Sequence, residues 1–125
     1  MKTIINTPNA PAPIGPYSQA VLVNGTLYAS GQIAINPASG ELVLNSIEAE
    51  TTQVMANIKA VLEAANMDYS NIIKSSIFLS DMGSFGQVNE VYGRYFTGDF
   101  PARETVEVAC LPKNVNVEIS VIATV

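Results

Sequence analysis

Arg103, Thr105 and Glu107 alternate along the β-prone run "ARETVEV", and Glu118 stands inside a second alternating run, "VNVEISVIATV". A guanidinium can hold a carboxylate through two parallel hydrogen bonds, a task that Arg's planar fork suits better than Lys. A nearby carboxylate can order a water and pass protons, with a pKa set by burial and by the neighbouring cation. The same residues can equally form a cross-strand ion pair, Arg103 with Glu118 or Glu107, worth a few tenths to about 1 kcal/mol. Residue pattern alone leaves both readings open. Tyr17 in "PIGPYSQAV", the Ser30-Gly31 pair, Asn89 and Cys110 are further candidates. Each also has an ordinary reading: a packed ring, a bulged strand, a backbone-bonded amide and a small buried hydrophobe.

The rest of the inventory narrows the chemistry. The chain has no histidine and one cysteine, so His-activated nucleophiles, His-ligated metals, cysteine zinc clusters and an intrachain disulfide are excluded. Neither GxGxxG nor GxxxxGK[ST] occurs, which removes the usual nucleotide cradles. Six basic residues, scattered from Lys2 to Lys113, face eleven acidic ones for a net charge of −5. A nucleic-acid binder would show a basic stripe, so no nucleic-acid partner is expected. "MKTIINTPNAPAP" lacks the apolar stretch of a signal peptide, and no run approaches the ~20 apolar residues of a membrane helix. The expectation is a soluble cytoplasmic protein without a membrane association.

At 125 residues the chain is expected to form one domain, residues 1–125. Charged residues make up only 14% of it, where soluble domains average about 25%. A small globule with so little surface charge points to a face covered by another copy of itself.

The elements that must position the candidates can be read in order. "NTPNAPAPIGPY" is a proline-rich arm. "SQAVLV" and "TLYAS" flank Asn24-Gly25, the dipeptide of a type I′ hairpin turn, and "QIAIN" resumes an apolar run after Gly31. From about Ser46 to Met67 the apolar period becomes three-four, with Asn45 and Glu48 as a prospective capping box. "NIIKSSIFLS" reads as a central strand. "SFGQVNEVYGRYF" reads as a second helix, with Ser84 as N-cap and Phe85, Val88, Tyr92, Tyr95 and Phe96 facing inward. Two closing strands, roughly Ala102–Val108 and Val115–Thr124, are joined across "CLPKN". The order β-β-(β)-α-β-α-β-β, with hairpins at both ends, predicts an α+β fold: two helices on one face of a mixed β-sheet. If apolar sides face the helices, parity places Arg103, Thr105, Glu107 and Glu118 together on the helix-free face. Polar groups on a face that another copy covers are candidates for a site.

Taken together, "GPYSQAV", "ASGQIAINPASGE", "QVNEVYGRYF" and above all "PARETVEVACLPKNVNVEIS" resemble the Rid (YjgF-type, reactive intermediate deaminase A) family over essentially the whole chain. The resemblance implies a chorismate-mutase-like (bacillus-type) subunit and a homotrimer with sites in the clefts between subunits. It implies cofactor-independent hydrolysis of 2-imino acids and their enamine tautomers, such as 2-aminoacrylate and 2-aminocrotonate, to 2-oxo acids and ammonia. A functional link to pyridoxal-phosphate-dependent serine/threonine dehydratases follows, since these release such imines. Carried over position by position, Arg103 would hold the substrate carboxylate and Glu118 would activate water and shuttle protons. Tyr17, Ser30, Gly31 and Asn89 would bind substrate, with Thr105 as a further pocket residue and no metal.

The sequence departs from the family at Glu104 and Thr105, where many members have a small residue and then Cys. Glu104 would add a negative charge beside an anion site. "TGDFP" is shorter than the family's usual connection before the Arg, so the cleft rim would differ. Three other readings stand beside deamination. One is a non-catalytic trimer that binds or senses a 2-oxo or amino acid through the same Arg. Another is a paralogue with a different imine substrate. The third is the ribonuclease activity described for some members, which the acidic balance and missing His oppose.

Overall fold

Asn24 and Gly25 both hold positive φ (50° and 79°), the backbone that a type I′ turn requires, and they close the hairpin of β2 (Ala20–Val23) and β3 (Thr26–Ala29). The computed structural model describes residues 1–125. Its remaining elements are β1 (Thr3–Ile5), α1 (Ile47–Ala64), β4 (Ile72–Leu79), α2 (Phe85–Gly93), β5 (Ala102–Glu107) and β6 (Val117–Thr124). Six strands form one mixed sheet in the order β1-β2-β3-β6-β4-β5, with β4 and β5 parallel and the other pairs antiparallel. Both helices pack on one face of this sheet, so the fold is α+β as the element order predicts.

The sheet differs from the expectation in three places. β1 is an additional edge strand drawn from "TII", and its Ile5 joins the core. "QIAIN" forms no strand, only isolated bridges from Gln32 to Ile119 and from Ile35 to Leu42. β5 and β6 are not a hairpin, because β4 lies between them and pairs with both. A cross-strand Arg103–Glu118 pair is therefore ruled out. The parallel β4–β5 pair needs a crossover, and α2 supplies it.

α1 begins one residue later than the capping-box reading. Ser46 is the N-cap, its side chain accepting from the Ala49 N–H (3.0 Å), and Asn45 has no capping role. The helix ends where Asn66 takes the left-handed conformation (φ 60°). There the Met67 N–H reaches the Leu62 carbonyl and the Asn66 N–H reaches that of Glu63, the bond pair of a Schellman motif. Its stripe of Val54, Met55, Ile58, Val61 and Leu62 is fully buried against Leu27, Ile77, Val117 and Ile119. Each such side chain contributes about 1.5–3 kcal/mol by leaving water.

At α2, Ser84 stands at the N-cap position but makes no capping bond; Asp81 caps the preceding 3-10 turn by accepting from the Gly83 N–H (2.8 Å). Val88, Val91 and Tyr92 are buried, while Phe85 is 38% exposed. Tyr95 and Phe96 lie beyond the helix end and pack on Tyr69.

β6 alternates strictly. Val117, Ile119, Val121 and Ala123 are buried toward the helices, and Glu118, Ser120, Ile122 and Thr124 point to the helix-free face. That face carries an apolar row across four strands: Ile4, Val21, Tyr28 and Ile122 stand opposite one another, with Ile4 46% and Tyr28 52% exposed.

Candidate active site

The register of β5 sets where Arg103 goes. Arg103 and Thr105 pair with Ser75 and Ile77 of β4, both buried under the helices. Arg103, Thr105 and Glu107 therefore lie on the helix side of the sheet, whereas Ala102, Glu104 and Val106 face the helix-free side. This reverses the parity expected from hydrophobicity. The cause is that β5 is an edge strand whose Val106 is 40% exposed, so apolar residues do not mark its inner side. The Arg stem instead lies along α2, its charged end reaching out of the layer.

The Arg103 guanidinium stands 5.3 Å from the Tyr92 ring centroid and 5.7 Å from that of Phe85. Its Nη1 donates to Asn89 Oδ1 (2.7 Å). The Tyr92 hydroxyl in turn donates to Ser75 Oγ (2.9 Å), fixing the ring beneath the cation, and burial pushes that hydroxyl's pKa up. Cation–π contacts of this type are worth about 0.5–1 kcal/mol each at exposed sites. They orient the guanidinium without neutralising it. Arg94, the other arginine, is held by Glu48 (2.8 Å) and Glu90 (3.1 Å), while Arg103 has no carboxylate within ion-pair distance. Glu107, its other expected partner, accepts from the Met82 N–H instead (2.7 Å). Arg103, Asn89, Tyr92, Gly93, Phe100 and Pro101 line an open cavity of about 450 Å³. Thr105 lies on the same side of β5, its Oγ1 buried and without a hydrogen-bond partner.

Glu118 lines a second, separate cavity. Its carboxylate lies over Gly31, where a Cβ would stand 2.7 Å from the Glu118 Cδ; only glycine leaves that room. Gly31 is thus required by the approach of the carboxylate, although its φ is unexceptional. Burial pushes the Glu118 carboxyl above its ordinary pKa. Tyr17, Ser30, Gly31, Ile14, Ile33 and Glu118 are among the walls of a cavity of about 360 Å³. Ser30 Oγ donates to the Ser18 carbonyl (2.7 Å), leaving its lone pairs for an incoming donor. The Tyr17 hydroxyl accepts from the Ile14 N–H (3.3 Å).

The seven candidates therefore fall into two groups that share no cavity. Tyr17, Ser30, Gly31 and Glu118 form one group, and Asn89, Arg103 and Thr105 form the other. Glu104 is removed from both: it faces the helix-free side, paired with Lys74 (3.0 Å) and accepting from Ser76 Oγ. The charge expected beside the anion site is on the opposite face of the sheet. Cys110 is exposed rather than buried, its Sγ 3.1 Å from Asn114 Oδ1.

Two polar residues that the sequence reading did not single out support the surroundings of Glu118. Glu50 of α1 is fully buried and accepts from Asn116 N (2.7 Å), Asn116 Nδ2 (2.7 Å) and Val117 N (3.0 Å), pinning the start of β6 just before Glu118. Its place three residues after Ile47 and four before Val54, on the edge of the apolar stripe, is the signal that could have found it. Gln19, also buried, fastens the arm.

The family model described as Endoribonuclease L-PSP matches residues 7–125. A Lactococcus lactis protein bearing the name of a regulator, AldR, is 53% identical, covering 98% of this chain and 97% of its own. The Bos taurus 2-iminobutanoate/2-iminopropanoate deaminase is 49% identical, covering 98% of this chain and 90% of its own. Among solved structures, that of YyfA from Yersinia pestis, described as a protein of the conserved Rid family, superimposes with a TM-score of 0.97 at 55% identity, over 100% of both chains. The two groups of candidate residues thus sit in a fold and a sequence shared with these proteins from end to end, and the chain belongs to the Rid/YjgF family.

Proposed function

We propose that this protein hydrolyses reactive 2-imino acids and their enamine tautomers, the 2-aminoacrylate and 2-aminocrotonate class, to 2-oxo acids and ammonia. The observation that carries the reading is the Arg103 guanidinium, oriented by Asn89 and Tyr92 and left without a counter-ion. It offers the planar donor pair that a 2-imino acid's carboxylate takes up. The relatives named 2-iminobutanoate/2-iminopropanoate deaminase support the same substrate class.

The chemistry fits the groups present. A protonated C=N carbon is already electrophilic, so the protein needs to orient it, supply water and manage protons. Water adds to that carbon as Glu118 takes one of its protons, giving a carbinolamine. Glu118 returns the proton to nitrogen; as the C–N bond breaks, the carbinol hydroxyl gives its proton to Glu118, which passes it to the departing ammonia, so 2-oxo acid and ammonium leave. An enamine first gains a proton at its β-carbon. A raised Glu118 pKa favours such shuttling, because the carboxyl gives and takes a proton closer to neutrality.

The Glu118 half and the Arg103 half would meet in the cleft between adjacent copies of a homotrimer, each copy supplying one half to each neighbouring cleft. The apolar row Ile4, Val21, Tyr28 and Ile122 on the helix-free face supports such packing. In this reading the protein works in the cytoplasm without a cofactor, beside pyridoxal-phosphate-dependent dehydratases that release its substrates. A sensing role has one observation in its favour, the regulator's name borne by a 53% identical relative. Turnover separates the two. A serine or threonine dehydratase is coupled to the protein, and imine decay and 2-oxo acid formation are followed. Deamination predicts acceleration by wild type and its loss in Arg103→Ala. Wild type that leaves the decay rate unchanged would refute the hydrolase reading for these substrates.

A further inference from the structure

Between β1 and β2 the chain runs from Asn6 to Gln19 without a regular element, and Pro8, Pro11, Pro13 and Pro16 contribute no N–H to it. Such an arm cannot join the sheet through a ladder, yet its carbonyls still need donors. One side chain meets much of that need. Gln19, 2% exposed at the entry to β2, accepts from the Thr7 N–H through Oε1 (2.7 Å). Its Nε2 donates to the carbonyls of Thr7 (3.0 Å), Pro11 (2.9 Å) and Ala10 (3.3 Å). Two amide hydrogens serve three carbonyls, so the longest contact is a shared branch. The Gln19 backbone carbonyl also accepts from the Ser30 N–H (2.9 Å).

Gln19 therefore ties together two walls of the Glu118 cavity. Pro11, Ala12, Ile14 and Tyr17 come from the arm, and Ser30 and Gly31 from the segment just after β3. We propose that Gln19 is a positioning residue for this cavity. Its carboxamide holds the proline-rich arm as the wall against which a substrate's apolar side chain packs. Substrate binding, and selection between side chains, depend on it; the water-handling step at Glu118 does not. The amide is specifically suited. Glu offers no hydrogen to the three carbonyls, Ala leaves them and the Thr7 N–H unpaired, and Asn brings the same groups one methylene short.

The proposal rests on reading the Glu118 cavity as the imine site, and the test separates the two claims. Amide hydrogen exchange and steady-state kinetics are measured on the full chain as wild type, Gln19→Ala and Gln19→Asn. The substrates are a three-carbon imine and a branched-chain imine. The clamp predicts at least tenfold faster exchange at Thr7 in Gln19→Ala, with β4 and β6 amides unchanged. It predicts KM for the branched imine raised about tenfold, a smaller rise for the three-carbon imine, and kcat within threefold of wild type. Unchanged Thr7 exchange in a folded Gln19→Ala overturns the proposal, as does a fall in kcat at constant KM. If Gln19→Ala loses sheet protection as well, Gln19→Asn decides: a milder KM rise with intact β6 amides supports the clamp, and wild-type KM overturns it. If wild type hydrolyses no imine, the deaminase reading fails alone, and Thr7 exchange still decides the clamp.

Discussion

Arg103 and Glu118 occupy opposite faces of one sheet, separated by the single strand β4 that pairs with both of theirs. Arg103 stands opposite buried Ser75 and rests on α2, while Glu118 stands opposite Phe78 and points away from the helices. No side-chain rotation joins them within one chain. In the proposed homotrimer, this separation is what would give each copy two half-sites rather than one whole one.

The first consequence concerns the quality of the cation rather than its charge. Arg103→Lys keeps a positive charge but loses the flat fork that Asn89 and the Tyr92 ring orient. We expect KM for a 2-imino acid to rise roughly 10- to 100-fold, equivalent to about 1.4–2.7 kcal/mol of lost carboxylate binding. Steady-state kinetics of the coupled dehydratase assay check this, and a KM within twofold of wild type would remove Arg103 from carboxylate binding.

A second prediction follows from the space over Gly31. Gly31→Ala places a methyl against the Glu118 carboxylate and must displace it. Displacement of a proton-handling group by about 1 Å costs on the order of 100-fold in rate. The expected outcome is a kcat loss of that order with an unfolding temperature close to wild type, read by kinetics and a thermal melt.

The pH dependence of Glu118 has a defined sign. Burial raises its pKa in the folded chain, so the folded state binds that proton more tightly than the unfolded state does. The penalty on the folded state is absent below the unfolded-state pKa and fully present above the folded-state one. Water activation needs the carboxylate, so kcat/KM should climb with pH through that raised value and lie lower in acid. Glu118→Gln should lose kcat by about 10²–10⁴-fold while melting at or above the wild-type temperature at pH 7. A variant that melts lower at pH 7 would contradict the burial argument.

Glu104 gives a prediction of near-silence. It pairs with Lys74 on the face away from Arg103, and both side chains are well exposed. Such an exposed pair is screened by solvent and adds little to stability. Glu104→Gln should therefore leave KM within about twofold and the unfolding temperature close to wild type; a large KM change would bring its charge back to the anion site.

What was legible in the sequence was local. Asn24-Gly25 dictates its turn through two residues that tolerate positive φ, and the three-four stripe of α1 is dictated by its burial. The pairing of distant strands was not legible, because β4 enters between β5 and β6 from thirty residues upstream of the former. Alternation in β5 misled for a physical reason. An edge strand with Val106 half out in solvent does not sort its faces by polarity, and an Arg can lie on the helix side by stacking on Tyr92 and Phe85. The candidates themselves were picked from "PARETVEVACLPKNVNVEIS" and "GPYSQAV", whereas their division between two cavities required the register. Glu50 and Gln19 stayed hidden because charged and amide residues ordinarily read as solvated, and only their partners reveal what they hold.

The central claim, that one functional site takes Arg103 from one copy and Glu118 from another, is tested most directly by mixing two inactive variants. Arg103→Ala and Glu118→Gln subunits are unfolded together in equal amounts, refolded, and assayed for imine hydrolysis beside each variant refolded alone. Each cleft then draws an intact Glu118 with probability one half and an intact Arg103 with probability one half. The account predicts recovery of about a quarter of wild-type activity in the mixture and at most about 1% in either variant alone. A mixture that forms mixed oligomers yet stays as inactive as its parts would contradict it.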